Sequence, residues 1–246
     1  MKISVVIPAY NEEKYIAKTI DAVLAQEYSD FEVVVVNNNS SDNTANIVRL
    51  YLGDERVRLV EESRQGLLFA RSAGLAAATG AVLAQLDADC LPNKHWLSIA
   101  SPYFKDPHVV GVTGPYDYYD GSWYFKFFAL ASQKTLYRFF SWYLQKKKRG
   151  ALLIGGNAFI RKTALEKAGG YNTALQFYAE DTDTAKRIVP FGKIVFDTGL
   201  VMKTSHRRFA TQGFFTTSMN YYKAFFSLAI GRTYSSEQSA EIVHPR

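Results

Sequence analysis

Residues 81–92 read AVLAQLDADCLP, an apolar run that stops at two aspartates, Asp87 and Asp89, one residue apart. In an extended segment residues i and i+2 share a face. The spacing therefore predicts two carboxylates converging at the carboxyl end of a buried strand. Like charges that close repel, so either a cation sits between them or one carboxyl is held neutral. Mg²⁺ and Mn²⁺ prefer carboxylate, water and phosphate oxygens, typically with only one or two carboxylates. The competing reading of the triplet is a turn with a helix cap, because Asp is common in both roles.

Outward from this run, three further apolar stretches precede it: ISVVIP, FEVVVVN and RVRLVEE. Those beginning at Ile3 and Phe31, like the run ending at Asp87, are nearly continuous in Val, Ile, Leu and Ala, which suits strands covered on both faces. Helical patterns alternate with them. EEKYIAKTIDAVLAQ places Ile16, Ile20, Val23 and Leu24 on one stripe. DNTANIVRLYL opens with capping residues and an acidic first turn, and LLFARSAGLAAAT is rich in alanine. Strand and helix in alternation predict an α/β fold on a mostly parallel sheet with right-handed crossovers. Ligands of such sheets bind at the carboxyl edge of the strands. Three polar loops fall there: Ala9-Tyr10-Asn11, Asn37-Asn38-Asn39 and Asp87-Ala88-Asp89.

The second half carries LPNKHWLSIASPYF (helix), VVGVTGPY (strand), ALLIGGNAFIRK (strand), YAEDTDTAKRIVPFG and KIVFDTGLVMKTSHRRF. No repeat or linker divides the chain, and the two halves are expected to share one core. The 246 residues carry 48% hydrophobic and 21% charged side chains, ordinary for a soluble globular protein, but 15% aromatics and a net charge of +6. A basic balance favours anionic partners; nucleic acid has that charge in its favour but no motif. A single cysteine, Cys90, excludes an internal disulfide and fits a reducing, cytoplasmic compartment. The N-terminal MKISVVIPAYNEEKY reads as a first strand rather than a signal peptide. No stretch reaches the length of a transmembrane helix.

The blocks VVIPAYNEEKYI, VVVVNNNSSDNT, LLFARSAGLAAATGAVLAQLDAD, LIGGNAFIRK and YAEDTDTAKRI stand in the order and spacing of family 2 glycosyltransferases, which the chain resembles over roughly residues 2–208. The resemblance implies a GT-A fold, a nucleotide-sugar donor, a divalent cation (Mg²⁺ or Mn²⁺) and inversion at the anomeric carbon. It implies that Asp89 binds the metal on the donor diphosphate and that Asp87, beside Ala88, sits by the ribose or assists the metal. From Glu180-Asp181 it assigns the catalytic base to Asp181, with Glu180 beside it. The structural alternative there is an acidic first helical turn, and Asp183 reads as a helix brace. The first loop, Pro8, Ala9, Tyr10 and Glu12, is implied to hold base and ribose. At Asn38 the family commonly has an Asp that reads uracil; Asn offers an acceptor and a donor, so UDP is the leading donor nucleotide without being required. Arg64 and Arg71 fall where the family places basic contacts, a surface salt bridge being the alternative. Gly156 and Asn157, after Gly155, are implied to border the donor sugar and acceptor. In TSHRR, Arg207 and Arg208 suit phosphate and His206 suits a metal shell.

Residues 122–145 read as one amphipathic helix with Lys126, Gln133, Lys134, Arg138 and Gln145 on one side, followed by Lys146-Lys147-Lys148-Arg149. Its aromatic side belongs to the core or a homodimer, or lies in a membrane surface and meets a lipid-linked acceptor. GFFTTSMNYYKAFFSLAIGR repeats this character. The expected organisation is a single domain over 1–210, with a donor-binding half (1–115) and an acceptor half (116–210), then a helical extension over 211–246. Two rivals remain in view: a sugar-nucleotide pyrophosphorylase, for which PAYNEEKY lacks the needed glycine- and basic-rich loop, and a non-catalytic partner subunit, against which Asp89 and Asp181 argue.

Overall fold

The computed structural model describes residues 1–147, 150–175 and 180–213, together with 216, 217 and 219. Its elements run β1 (Ile3–Ala9), α1 (Ile16–Leu24), β2 (Phe31–Asn37), α2 (Thr44–Arg49), β3 (Val57–Glu61), α3 (Leu67–Ala77), β4 (Val82–Gln85), β5 (Leu91–Pro92) and α4 (Trp96–Ala100). There follow β6 (Val109–Thr113), β7 (Tyr116–Tyr118), α5 (Trp123–Ser132), α6 (Arg138–Lys146), β8 (Ala158–Arg161), α7 (Lys162–Lys167), α8 (Glu180–Ile188), β9 (Lys193–Phe196), β10 (Met202–Thr204) and α9 (Arg207–Gln212).

Among the described residues the main sheet has seven strands in the order β3-β2-β1-β4-β8-β6-β9, and β5-β10-β7 form a small second sheet. β1 lies parallel to β2 and β4 at the centre, as the continuous apolar runs require. Alternation along β1 sends Ile3, Val5 and Ile7 to one face, against Ile16 and Ile20 of α1 and Trp96 of α4. Val6 turns to the other face, with Leu68 of α3, Leu165 of α7 and Ile188 of α8. The fold is thus α/β, a large mostly parallel sheet between helical layers. β8 runs antiparallel to both β4 and β6, so strands from the two halves of the chain enter one sheet.

Four local expectations are corrected. The Asp87–Asp89 triplet lies in a turn beyond β4, closed by the Cys90 N–H on the Asp87 carbonyl at 3.0 Å, so strand alternation does not aim the two carboxylates together. α2 has no acidic residue in its first turn; Asp42, just before it, accepts from the Thr44 N–H at 2.9 Å instead. Gly155–Asn157 form a 3₁₀ turn ahead of β8 rather than part of the strand. Residues 123–146 are helical throughout, but the aromatic side chains are not core: Trp123, Phe127, Phe128, Phe139 and Trp142 are all exposed. Most of the C-terminal extension, and Lys148-Arg149, lie outside the described residues. Among the described residues no helix is long and apolar enough to cross a membrane.

Glu32 fastens the amino ends of the central strands. It is buried on β2 and accepts from Ser4 Oγ at 2.6 Å, from Thr79 N and Oγ1 at 2.7 and 2.8 Å, and from Arg58 at 3.0 Å. Burial opposes its ionisation, but the Ser4, Thr79 and Lys2 hydrogen bonds outweigh it and hold the carboxyl at about 2. As pH falls the unfolded chain takes up this proton first, so the stabilisation is present at neutral pH and is lost as pH falls through the folded value. Glu32→Gln is expected to lower stability by about 1–3 kcal/mol at neutral pH. The gap from the parent protein should narrow steadily as pH falls from about 5 toward 2; urea unfolding across that range reads it.

Candidate active site

The loops after β1 and β2 are sewn to each other. Asn11 and Asn39 adopt left-handed backbone at φ 54° and 62°, which Asn tolerates better than most residues. The Asn11 Oδ1 accepts from the Ser41 N–H at 2.8 Å, the Asn11 N–H donates to Ser40 Oγ at 3.0 Å, and the Asn38 N–H donates to the Ala9 carbonyl at 2.8 Å. Ala9 is buried, while Pro8 and Tyr10 are half-buried. The Glu12 N–H donates to Thr44 Oγ1 at 2.8 Å, which ties this loop to the start of α2.

Two carboxylate–arginine units meet at the turn after β4. In the first, Arg207, from the start of α9, donates to Glu12 at 2.6 Å and stands 3.0 Å from Asp89. Its guanidinium lies 4.8 Å over the Tyr15 ring. Glu12 is 5% exposed and its second oxygen has no protein partner. Burial pushes Asp89 up to about 6, against the pull of Arg207; Asp87 and Glu12 add to the rise. Arg208 also bears on Asp89 and Glu180.

In the second unit Arg71 projects from α3, buried to 3% exposure, and donates to Asp181 at 2.8 Å, with Asp87 at 3.8 Å. Burial works against this charge, but Asp181, Asp87 and Glu180 outweigh it and keep the guanidinium protonated. The Gly155 N–H donates to the other Asp181 oxygen at 2.9 Å. Tyr116 completes the group: its hydroxyl accepts from the Gly156 N–H at 2.9 Å and lies 3.4 Å from Asp87. Both glycines are required by close approach, since a Cβ on Gly155 would overlap the Asp181 carboxylate and one on Gly156 would overlap Asp87 and the Tyr116 hydroxyl. Burial and the nearby Asp87 raise Asp181 above the ordinary aspartate range, with Arg71 pulling it back; burial and Asp181 raise Glu180.

The structure therefore brings together Glu12, Arg71, Asp87, Asp89, Gly156, Asp181 and Arg207, from six separate segments. Other expected residues stand apart from this group. Asn157 is wholly buried; its amide accepts from the Trp96 indole at 2.8 Å and donates to the Leu200 carbonyl at 2.7 Å, which makes it a brace beneath the site rather than a contact in it. Asn38 donates to the carbonyls of Glu62 and Arg64 at 3.1 and 2.8 Å and accepts from the Gly66 N–H at 2.7 Å, so its amide organises the loop after β3. Arg64 forms a fork with Glu62 at 3.0 and 2.8 Å and its side chain is 65% exposed. His206 faces Asp120 at 3.0 Å, and Asp120 also accepts from Ser205 Oγ at 2.6 Å. The expected metal trio of Asp87, Asp89 and His206 is consequently not gathered: among the described residues no three His, Cys, Asp or Glu side chains converge on one point. The carboxylates alone still fit a hard cation, since Mg²⁺ and Mn²⁺ sites use one or two carboxylates with water and phosphate. The unpartnered Glu12 oxygen marks surplus negative charge beside Asp89.

Sequence reasoning missed Tyr116, Tyr15 and Asp120. Tyr116 follows Gly114-Pro115 at the end of β6, a turn signal that places an aromatic ring at the same sheet edge. Tyr15 and Asp120 left no comparable signal.

The seven-stranded sheet thus gathers acidic and basic side chains at the carboxyl edge of its parallel strands, where α/β folds bind their ligands. The sequence model of Glycosyl transferase family 2 matches residues 4–169, and the chain belongs to that family. It is 32% identical over 215 residues to the probable glycosyltransferase YdaM of Bacillus subtilis, covering 78% of this chain and 47% of that one. It is 43% identical over 99 residues to the glycosyltransferase AglE of Haloferax volcanii, covering 39% of this chain and 33% of the relative. The chain thus spans less than half the length of these relatives. Among solved structures it is similar to the mannosyltransferase PcManGT of Pyrobaculum calidifontis, in complex with GDP-Man and Mn²⁺, with a TM-score of 0.76, 24% identity and coverage of 98% of this chain and 68% of that one. S. aureus TarS 1-349 in complex with UDP-GlcNAc gives a TM-score of 0.66, with 19% identity and coverage of 99% and 70%. These neighbours establish the GT-A fold.

Gly155→Ala is expected to push the Asp181 carboxylate off Arg71 and to lower turnover about 10²-fold, the usual consequence of a misplacement near 1 Å. Steady-state kinetics on a variant shown folded by circular dichroism checks it.

Proposed function

We propose that the chain transfers a sugar from a nucleotide-diphosphate donor, UDP-linked first among candidates, to an acceptor hydroxyl on a glycan or lipid-linked chain. The reaction is a direct displacement with inversion. The observation that carries this reading is Asp181, held from two sides by Arg71 and the Gly155 N–H while 28% of its side chain stays exposed.

Asp181 is the general base. One oxygen orientation is set by Arg71 and the other by the backbone, so the open side of the carboxylate is directed by geometry rather than by chance rotation. It takes the proton from the acceptor hydroxyl as that oxygen bonds to the anomeric carbon. The carbon–oxygen bond to the diphosphate breaks on the opposite face, and the bonding electrons leave with the nucleoside diphosphate. Arg71 keeps Asp181 ionised against its burial, while the raised tendency to hold a proton suits a base working near neutral pH. Glu180 sits behind it, buried, and opposes full ionisation of the pair. Asp87 and Asp89 are the residues that would hold Mg²⁺ or Mn²⁺, whose contribution is Lewis-acid neutralisation of the departing diphosphate. Arg207 and Arg208 lie beside Asp89, suited to the donor phosphates. The first loop, from Pro8 to Glu12, frames the nucleoside.

Asp181→Asn is expected to keep donor affinity and lower turnover about 10²–10⁴-fold. Because the base must be ionised, parent activity should fall on the acid side with a midpoint above the ordinary aspartate range. A variant with undiminished turnover removes Asp181 from this role. Asp89→Ala should abolish the Mn²⁺-dependent gain in donor affinity; calorimetric titration with and without Mn²⁺ reads this directly. A hydrolysis screen over UDP- and GDP-sugars assigns the base.

A further inference from the structure

The helical segment from Trp123 to Lys146 presents an aromatic face to solvent. Trp123 is 79% exposed, Phe128 68%, Phe127 63%, and Phe139 and Trp142 55% each. An apolar stripe of this kind on a folded protein marks an interaction surface. Its geometry is set by a π-type turn at Gln133–Tyr137 between α5 and α6. Such a turn takes up about one residue more than an α turn, which rotates α6 back by roughly 100°. By helical spacing this returns Trp142 to the side of Trp123 and Phe139 to the side of Phe127. Without it the aromatic stripe would wind away from itself; with it the stripe is one continuous face.

The opposite side is anchored. Gln133, Ser141 and Leu144 are buried. Gln133 holds Tyr116 by both backbone groups, at 2.9 and 3.1 Å, and Gln145 holds Ile194 of β9 in the same way, at 2.8 and 2.9 Å. The face is therefore rigidly carried, and through Tyr116 it is joined to the candidate active site.

Charge selects the occupant. Residues 121–149 contain seven Lys and Arg and no Asp or Glu. Lys126 and Arg138 fall by spacing along the border between the buried side and the aromatic face. Beside α6, Arg138, Lys146 and Lys193 line a cavity of about 340 Å³ whose apolar walls include Trp142 and Phe196. Lys193 is shared with Asp106 at 2.8 Å, and Lys146 lies 5.2 Å over the Trp142 ring. A second copy of this face would bring like charges together. The aromatic stretch of the sequence over 214–233 has Lys223 and Arg232 and no acidic residue, and the two glutamates of the C-terminal extension, Glu237 and Glu241, follow only beyond it. A flat, negatively charged surface complements the face. Aromatic rings flanked by cations match the boundary between headgroups and acyl chains.

We propose that this aromatic face lies in the plane of an anionic lipid surface, with Arg138, Lys146 and Lys193 receiving lipid phosphate groups. The docking is independent of the transfer reaction and is tested without it. The full chain is floated on a sucrose gradient with vesicles of phosphatidylcholine alone, or of phosphatidylcholine and phosphatidylglycerol. Co-migration with the phosphatidylglycerol vesicles only is expected. Arg138→Ala should weaken partitioning roughly fivefold, and Trp123→Ser combined with Trp142→Ser more than tenfold. Thermal unfolding should be unchanged in both variants, since the altered side chains are exposed. Three results would overturn the proposal: no flotation with anionic vesicles, equal flotation with both vesicle types, or sedimentation as a dimer that the double substitution dissociates.

Discussion

Arg71 is the charge on which the centre of the molecule turns. A guanidinium 3% exposed is costly to bury unless carboxylates and hydrogen bonds surround it, and removing one partner leaves an uncompensated charge. Its partners come from distant parts of the chain, Asp181 on α8 and Asp87 in the turn after β4. α3, the end of β4 and α8 are consequently held in register by electrostatics as well as by the apolar face they share. Removing Arg71 would leave Asp87 and Asp181 facing each other across the site.

The second unit, Glu12 with Arg207 and Asp89, solves the same problem on the other side of the turn. Asp87 and Asp89 repel, and each is given its own arginine. This also ties α9 to the first loop.

Much of the fold was legible because burial leaves a direct trace in sequence. The continuous Val-rich runs at β1 and β2 marked strands covered on both faces, and the polar residues after β1, β2 and β4 marked the sheet edge where the site lies. The site was legible only in part. Asp87 and Asp89 stood out as charges at the end of an apolar run and Asp181 through the family resemblance, while Asn157, named by the same resemblance, is buried as a scaffold brace. Its amide serves Trp96 and Leu200, remote in sequence, and nothing local distinguishes that role. His206 faces Asp120, a partner far from it in the chain that local sequence does not point to.

The aromatic helix shows the boundary between the two kinds of information. Helical periodicity and the absence of acidic residues over 121–149 follow from the sequence alone, because both depend on near neighbours. Whether those rings pack inward or face outward does not, because it depends on which surface the sheet leaves to be covered. That was decided in three dimensions by Gln133 and Gln145 gripping Tyr116 and Ile194, which places the polar side inward and leaves the rings outside. The same division holds at the site. Local sequence determined where carboxylates end the strands; only the folded chain could pair them with Arg71 and Arg207, because charge balance in a buried cleft is a property of residues brought together from far apart.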